Sequence, residues 1–208
     1  MGDIILWTSQ MRTPLLIAAF LAATLAACSG KGQAEPNLAM ELRPIGNLAE
    51  FSLLDQDGQA FGHDQMRGKL WVVKFFFTRC PSICPLLTTS MKDVAGRWSK
   101  EAGVHFLSIT VDADFDQVGV LKSFAEQNHL PENRWRLLSG NPEDIRKLCE
   151  KSFLLALGGA MKPNGDIAHS SRFVVVDGKG QVRGFFDGLD EKEVARLEQA
   201  LQFLLAEG

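Results

Sequence analysis

The sequence predicts an α/β fold in which a central mixed sheet is flanked by helices. Two runs rich in β-branched and aromatic residues, at 70–77 and 104–111, are typical of strands that are buried on both faces. A segment with two cysteines and helical character lies between them, and this order predicts a parallel crossover. A hairpin pattern followed by an amphipathic helix then closes the chain.

The elements can be justified in order along the chain. Residues 49–61 contain two short apolar stretches around Asp57 and Gly58, which is a hairpin signal. The first buried strand ends near Cys80, where two prolines suit the first turn of a helix that continues to about Lys100. The remaining predicted elements are the strand at 104–111, a helix at 118–125, a short strand at 134–138, a helix at 143–153, a hairpin at 172–177 and 181–187, and a helix at 189–205.

A buried strand that runs into a cysteine-bearing helix, a crossover, a hairpin and a last helix form the thioredoxin arrangement. The segment at 49–61 is then an addition before the first core strand. The sequence therefore predicts a thioredoxin-like fold with an N-terminal β-hairpin extension.

The first residues predict export and lipid anchoring. The apolar run at 15–27 suits the core of a signal peptide and is too short to span a membrane, which takes about 20 residues. It ends in Leu-Ala-Ala-Cys, which resembles the bacterial lipobox with Cys28 as the lipidated residue. The alternative is plain secretion with Cys28 as an accidental thiol. Translation starts at Met1 or at Met11, because the ten residues before Met11 carry no basic charge.

We therefore expect three segments. They are a lipoprotein-type signal peptide at 1–27, a flexible tether at 28–45 and a thioredoxin-like domain at 46–208. The mature protein would be held by a lipid anchor to a membrane of the bacterial cell envelope, facing the periplasm or the outside. The formal charge of −3 and the absence of long charge runs argue against nucleic acid as a partner.

Cys80 and Cys84 are the candidate reactive residues. At the head of a helix, residues four apart project from one face with Cβ atoms about 5–6 Å from each other, so the thiols can close as a disulfide or hold one metal ion. The helix N-terminus favours the thiolate form of Cys80. A static disulfide or a buried pair is the alternative. Redox sites more often have a Cys-x-x-Cys spacing, so the extra residue favours a metal.

A copper(I) site with two thiolates needs a further ligand, and an imidazole suits it. His63 and His129 are predicted to face solvent, and His105 to pack within a strand. His169 differs because it precedes the strand at 172–177, on a loop that we expect to face the cysteine-bearing helix.

Three motifs, FFFTRCPSICP, ITVDADFD and AHSSRFVVVD, stand in an order that resembles the Sco/SenC family over about 47–206. The resemblance implies a thioredoxin fold that binds one copper ion, as Cu(I) or Cu(II), through Cys80, Cys84 and His169. It also places the family's acidic pair at Asp112 and Asp116, as candidates to support the site or contact a partner. Helix capping is the alternative for Asp116.

Two departures from the family pattern bear on the site. The family commonly has an aspartate before the ligand histidine, where this chain has Ala168, and often an acid within the cysteine motif, where Ser82 and Ile83 stand. Because outer residues orient a ligating imidazole, these changes would weaken or retune a copper site without abolishing it.

The resemblance implies a monomeric copper metallochaperone rather than a catalyst. It would help to assemble the binuclear copper centre of cytochrome c oxidase, with the oxidase's copper-bearing subunit or another exported copper protein as partner. The alternative is a thiol-disulfide oxidoreductase that reduces the copper-site cysteines of the oxidase, with Cys80 attacking and Cys84 resolving. A peroxidase is a weaker alternative, because the proline usual upstream of its cysteine is missing here. Cys149 is predicted to be a buried thiol, with an exposed mixed-disulfide partner as the alternative.

Overall fold

A computed structural model describes residues 38–155 and 170–207 of the chain. The predicted signal peptide, the lipidation site Cys28 and the candidate ligand His169 lie outside the described residues.

The elements that the sequence predicts occur in the predicted order, and two short helices at 38–41 and 63–66 and a two-residue strand at 46–47 are additional. The strands are β1 (Gly46–Asn47), β2 (Ser52–Asp55), β3 (Ala60–Gly62), β4 (Leu70–Phe76), β5 (Val104–Thr110), β6 (Trp135–Ser139), β7 (Arg172–Val176) and β8 (Gln181–Asp187). The helices are α1 (Leu38–Glu41), α2 (His63–Met66), α3 (Ile83–Arg97), α4 (Val118–Gln127), α5 (Pro142–Lys147) and α6 (Glu191–Glu207). A π-helical turn at Leu148–Ser152 follows α5, where the sequence predicts one continuous helix.

In the described part of the chain, the strands form one mixed sheet in the order β1-β8-β7-β4-β5-β6-β2-β3. The central strands β4, β5 and β6 are parallel, whereas β7 lies antiparallel to β4 and pairs with β8 as a hairpin. The extension β2–β3 is a hairpin that adds to the edge of the sheet through β6. This arrangement confirms the predicted thioredoxin-like fold and its N-terminal hairpin.

Helices cover both faces of the sheet, and every residue of β4 is buried. One core lies between the sheet and α3, α4 and α6, and it includes Cys80 and Cys84. The other lies on the opposite face, where α5 and the π-helical turn contribute Ile145 and Cys149. The chain therefore leaves the buried end of β4 and reaches Cys80 and Cys84 within the same core.

Packing begins before the predicted domain start at residue 46. Leu42 is buried in the core, and its carbonyl accepts a 2.6 Å hydrogen bond from Nε of Arg183. The boundaries at 1–27, 28–45 and 46–208 stay predictions, but Leu42 belongs to the packed domain.

Candidate metal centre

Cys80 and Cys84 stand at the turn between β4 and α3, but only Cys84 belongs to the helix. Cys80 precedes α3, in a turn where its N–H donates to the carbonyl of Phe77 at 3.3 Å. The expectation that both cysteines sit in the helix is therefore wrong for Cys80. Pro85 supplies the reason: it lies in the first turn of a helix that begins at Ile83, whereas a start at Cys80 would place its ring in the second turn and break a backbone hydrogen bond.

The two thiols lie together inside the protein. Their residues are only 6% and 3% exposed, and the Cys84 thiol hydrogen-bonds with the sulfur of Cys80. Backbone N–H groups of Ser82 and Cys84 also point at the Cys80 sulfur, and the Ser82 hydroxyl oxygen is 3.6 Å from it. Several hydrogen-bond donors therefore point at one atom, the sulfur of Cys80.

These surroundings give the two thiols opposite acidities. Burial acts to raise the pKa of Cys80, but the hydrogen bonds from Cys84 and Ser82 outweigh it, so the net pKa is lowered. Burial raises the pKa of Cys84 to about 12. Cys80 is therefore the thiol that ionises first, and Cys84 is held as a protonated donor beside it.

Asp116 holds the turn that leads into Cys80. It is fully buried, and its carboxylate accepts hydrogen bonds from the backbone N–H of Thr78 at 3.0 Å and from the hydroxyl of the same residue. The hydroxyl of Thr110 also donates to it, at 2.5 Å. The N-cap position of α4 is Gln117, whose side chain makes no cap hydrogen bond, so Asp116 is not the helix cap that the alternative interpretation proposes.

Asp112 meets the same turn from the solvent side. Its carboxylate accepts a 2.7 Å hydrogen bond from Nε of Arg79, whose guanidinium lies 4.4 Å from the centre of the Phe115 ring. Phe115 is 44% exposed. The acidic pair thus holds the turn at two successive residues, with Asp116 bound to Thr78 and Asp112 to Arg79.

Comparison with known proteins identifies the family of this chain. The SCO1/SenC family model matches residues 44–202, which include the turn, both cysteines and the acidic pair. The chain belongs to the SCO1/SenC family. An SCO1 protein homolog of Bacillus subtilis (strain 168) is 30% identical to it over 179 residues, which cover 84% of this chain and 88% of that protein.

Two solved structures resemble this SCO1/SenC protein along most of their length. A SCO1/SenC family lipoprotein from Bacillus anthracis str. Ames is similar with a TM-score of 0.72 at 30% identity, over 78% of this chain and 98% of that chain. BsSco, a member of the Sco family of cytochrome c oxidase assembly proteins in which a disulfide switch is identified, is similar with a TM-score of 0.65 at 27% identity, over 76% and 94%.

Among residues 38–155 and 170–207, no group of three His, Cys, Asp or Glu side chains is placed to hold a metal ion. The described part of this SCO1/SenC protein thus contributes two candidate ligands, Cys80 and Cys84. A buried pair of adjacent sulfurs fits a soft ion such as Cu(I). Likewise, no helix within the described ranges is long and apolar enough to cross a membrane.

The described histidines lie in other parts of the fold than the cysteine turn. The prediction that His63 faces solvent is wrong. Its Nδ1 is buried and lies 3.6 Å from a Glu50 carboxylate oxygen. The reason is that α2 packs the ring against the tight turn at Gly180. His105 is in β5 as predicted, with Nε2 3.1 Å from the carbonyl of Ala102. His129 is exposed at the end of α4.

Cys149 is a buried thiol, as predicted. It lies in the π-helical turn, and its sulfur donates to the carbonyl of Leu155 at 3.4 Å. Burial raises the pKa of Cys149 to about 12. An inert core thiol fits these observations better than an exposed partner for mixed disulfides.

Lys74 is a feature that the sequence analysis missed. It lies in the middle of β4, is 1% exposed, and its ammonium donates a 2.6 Å hydrogen bond to the hydroxyl of Thr88. That hydroxyl in turn donates to the carbonyl of Cys84 at 2.7 Å. The available signal was a single lysine inside the otherwise apolar run LWVVKFFF.

Proposed function

We propose that this SCO1/SenC protein binds one copper ion through Cys80, Cys84 and His169 and delivers it to the binuclear copper centre of cytochrome c oxidase. The observation that carries the proposal is the pair of buried sulfurs in hydrogen-bond contact, one of which has a lowered pKa. Thiolates are the ligands that Cu(I) prefers, and a site that starts with one thiolate loses fewer protons when the metal enters.

The topology supports a third ligand from the chain before β7. Since β7 runs antiparallel to β4, its first residues lie at the end of β4 that leads to Cys80. Ser171 accepts a backbone hydrogen bond from Gly188 at 2.9 Å and so belongs to this hairpin. His169 is two residues earlier in the sequence. One imidazole added to two thiolates makes a three-coordinate Cu(I) site, and a fourth oxygen or nitrogen ligand would suit Cu(II).

The oxidase as destination follows from the family. BsSco is described as a member of a family of cytochrome c oxidase assembly proteins, and the sequence motifs of this chain point to the same family. The partner would be the copper-bearing subunit of the oxidase or another exported copper protein. A lipid anchor at Cys28 would keep the protein at the membrane that holds the oxidase, and the related lipoprotein from Bacillus anthracis supports this location.

The unequal acidity of the two thiols favours a second function, thiol-disulfide exchange. The Cys80 thiolate attacks one sulfur of a partner disulfide, a mixed disulfide forms and the first partner thiolate leaves. Cys84 then loses its proton and attacks the Cys80 sulfur, which releases the second partner thiolate. The partner gains two electrons from the dithiol, the Cys80–Cys84 disulfide forms, and the two partner thiolates are protonated by the proton that Cys84 released and by one from water.

The substitution His169→Ala separates the two functions, because only copper binding needs the imidazole. Cu(I) affinity should fall by about one to several powers of ten, whereas exchange with a disulfide substrate should continue. His129→Ala is the matched control, since His129 is exposed and should change neither property. Failure of oxidase assembly in cells with His169→Ala, with thiol exchange intact, supports copper delivery. Normal assembly would favour the reductase, and an unchanged Cu(I) affinity would remove His169 from the ligand set.

A further inference from the structure

Lys74 is connected to the cysteine turn through Thr88, whose hydroxyl accepts a 2.6 Å hydrogen bond from the ammonium and donates a 2.7 Å one to the carbonyl of Cys84. Side chains alternate between the faces of a strand, so Lys74 shares the α3 side of β4 with Val72 and Phe76. Both neighbours belong to the core that also contains Cys80 and Cys84. A lysine is rarely buried in such a position without a partner charge.

The surroundings of the Lys74 ammonium are almost entirely neutral. It donates to the Thr88 hydroxyl at 2.6 Å and lies 5.6 Å and 5.7 Å from the ring centres of Phe76 and Trp135. Within the described part of the chain, no carboxylate lies within 4 Å of it. A buried ammonium held by one hydroxyl and two rings costs free energy unless an anion compensates it.

The two thiols are the ionisable groups that act on Lys74. Burial lowers the pKa of Lys74 to about 7, and the charges of Cys84 and Cys80 oppose that effect. The groups facing it from the adjoining elements are Thr88 of α3, Ser108 of β5 and Trp135 of β6, and these carry no charge. The cysteine sulfurs are therefore the groups of this core that can supply a compensating negative charge.

Charge balance gives this pairing a consequence for the metal. Two thiolates and one Cu(I) ion carry a net charge of −1, and a neutral imidazole does not change it. When the positive charge of the Lys74 ammonium is added, the net charge of the buried group becomes zero. We propose that Lys74 is the positioning residue that offsets the negative charge of the dithiolate–Cu(I) unit, without being a ligand. The inference rests on the proposed copper function.

The test compares two metals of different charge in the full chain, purified in detergent and reduced, with Lys74→Met. Chelator competition should show that Cu(I) affinity falls at least about tenfold. Affinity for Cd(II) should stay level or rise, because two thiolates already balance a dication. Lys100→Met, an exposed site with the same change in net charge, should alter neither affinity. Lys74→Gln can keep the hydrogen bond to Thr88, so it provides a second test if Lys74→Met fails to fold. It should show the same loss of affinity for Cu(I) and not for Cd(II).

The outcomes separate this inference from the proposed function. If the unsubstituted protein binds Cu(I) and Lys74→Met binds it equally well, the role of Lys74 is overturned while copper binding stands. Equal losses for Cu(I) and Cd(II) in both variants would mean that Lys74 only supports the fold, and would also overturn it. If the unsubstituted protein does not bind Cu(I), the copper function fails and the role of Lys74 fails with it.

Discussion

Asp116 and Thr78 are joined by two hydrogen bonds, one from the backbone N–H of Thr78 and one from its hydroxyl, two residues before Cys80. Asp116 is fully buried two residues before α4, and Thr78 lies in the turn two residues after β4. The contact therefore fixes where the cysteine turn leaves the sheet. A carboxylate suits this position because it accepts every hydrogen bond directed at it.

We predict that Asp116→Asn lowers the free energy of unfolding by about 2–3 kcal/mol, since an amide nitrogen would then face a donor in a buried site. Denaturant unfolding measures the change. Asp112→Asn is the matched control. Its partner Arg79 is 41% exposed, so the loss should be only about 0–1 kcal/mol. Equal losses in the two variants would refute the anchoring role of Asp116.

Cys80 should react with iodoacetamide well before Cys84. The pKa of Cys80 is lowered and that of Cys84 is raised to about 12, so Cys80 gains thiolate at a lower pH. At pH 8 the thiolate fraction of Cys84 would be about 10⁻⁴. Peptide mass spectrometry after brief alkylation between pH 6 and 10 shows the order. Labelling of Cys84 first, or of both cysteines at one rate, would contradict the assignment of Cys80 as the attacking thiol.

Lipidation at Cys28 predicts a mature chain that begins at this residue and carries acyl chains. Intact mass spectrometry of the membrane-extracted protein tests this directly, and Cys28→Ser provides the control because it removes the acylated sulfur. A mature N-terminus at another residue, or an unmodified product that leaves the membrane without detergent, would rule the anchor out.

Cys149→Ala should lower the free energy of unfolding by about 1 kcal/mol, because it leaves a small void in the core. The number of copper ions bound should not change, since Cys149 is buried among apolar residues on the face of the sheet opposite the dithiol. Copper titration and denaturant unfolding of the same sample check both statements. A fall in copper stoichiometry would bring Cys149 into the site.

Local patterns predict the fold well where one physical cause dominates. The strands β4 and β5 follow from continuous apolar runs, and the β2–β3 hairpin follows from Gly58, whose φ of 74° suits a tight turn. The predicted start of α3 is wrong because the spacing of Cys80 and Cys84 suggests that both lie in the helix. The position of Pro85 instead requires the helix to begin at Ile83. The π-helical turn depends on how Cys149 and its neighbours pack, which a periodicity does not contain.

The site was predicted in part. The sequence pairs Cys80 with Cys84, but it does not show which thiol receives the hydrogen bonds, since these come from backbone and side-chain groups of Ser82 and Cys84 that the folded turn brings to one sulfur. The partly buried position of His63 and the buried position of Lys74 also depend on tertiary contacts, with the turn at Gly180 and with Thr88 respectively. A single polar residue in a pattern has no preferred partner until the chain is folded.

Copper stoichiometry in the two redox states tests the central claim most directly. The reduced protein should bind one Cu(I), and oxidation of Cys80 and Cys84 to a disulfide should abolish binding, because only thiolates ligate the ion strongly. Metal analysis after gel filtration with and without reductant gives both numbers. One copper ion per reduced chain and none per oxidised chain is the result we predict; tight copper binding by the oxidised protein would contradict the assignment of the dithiol as the metal site.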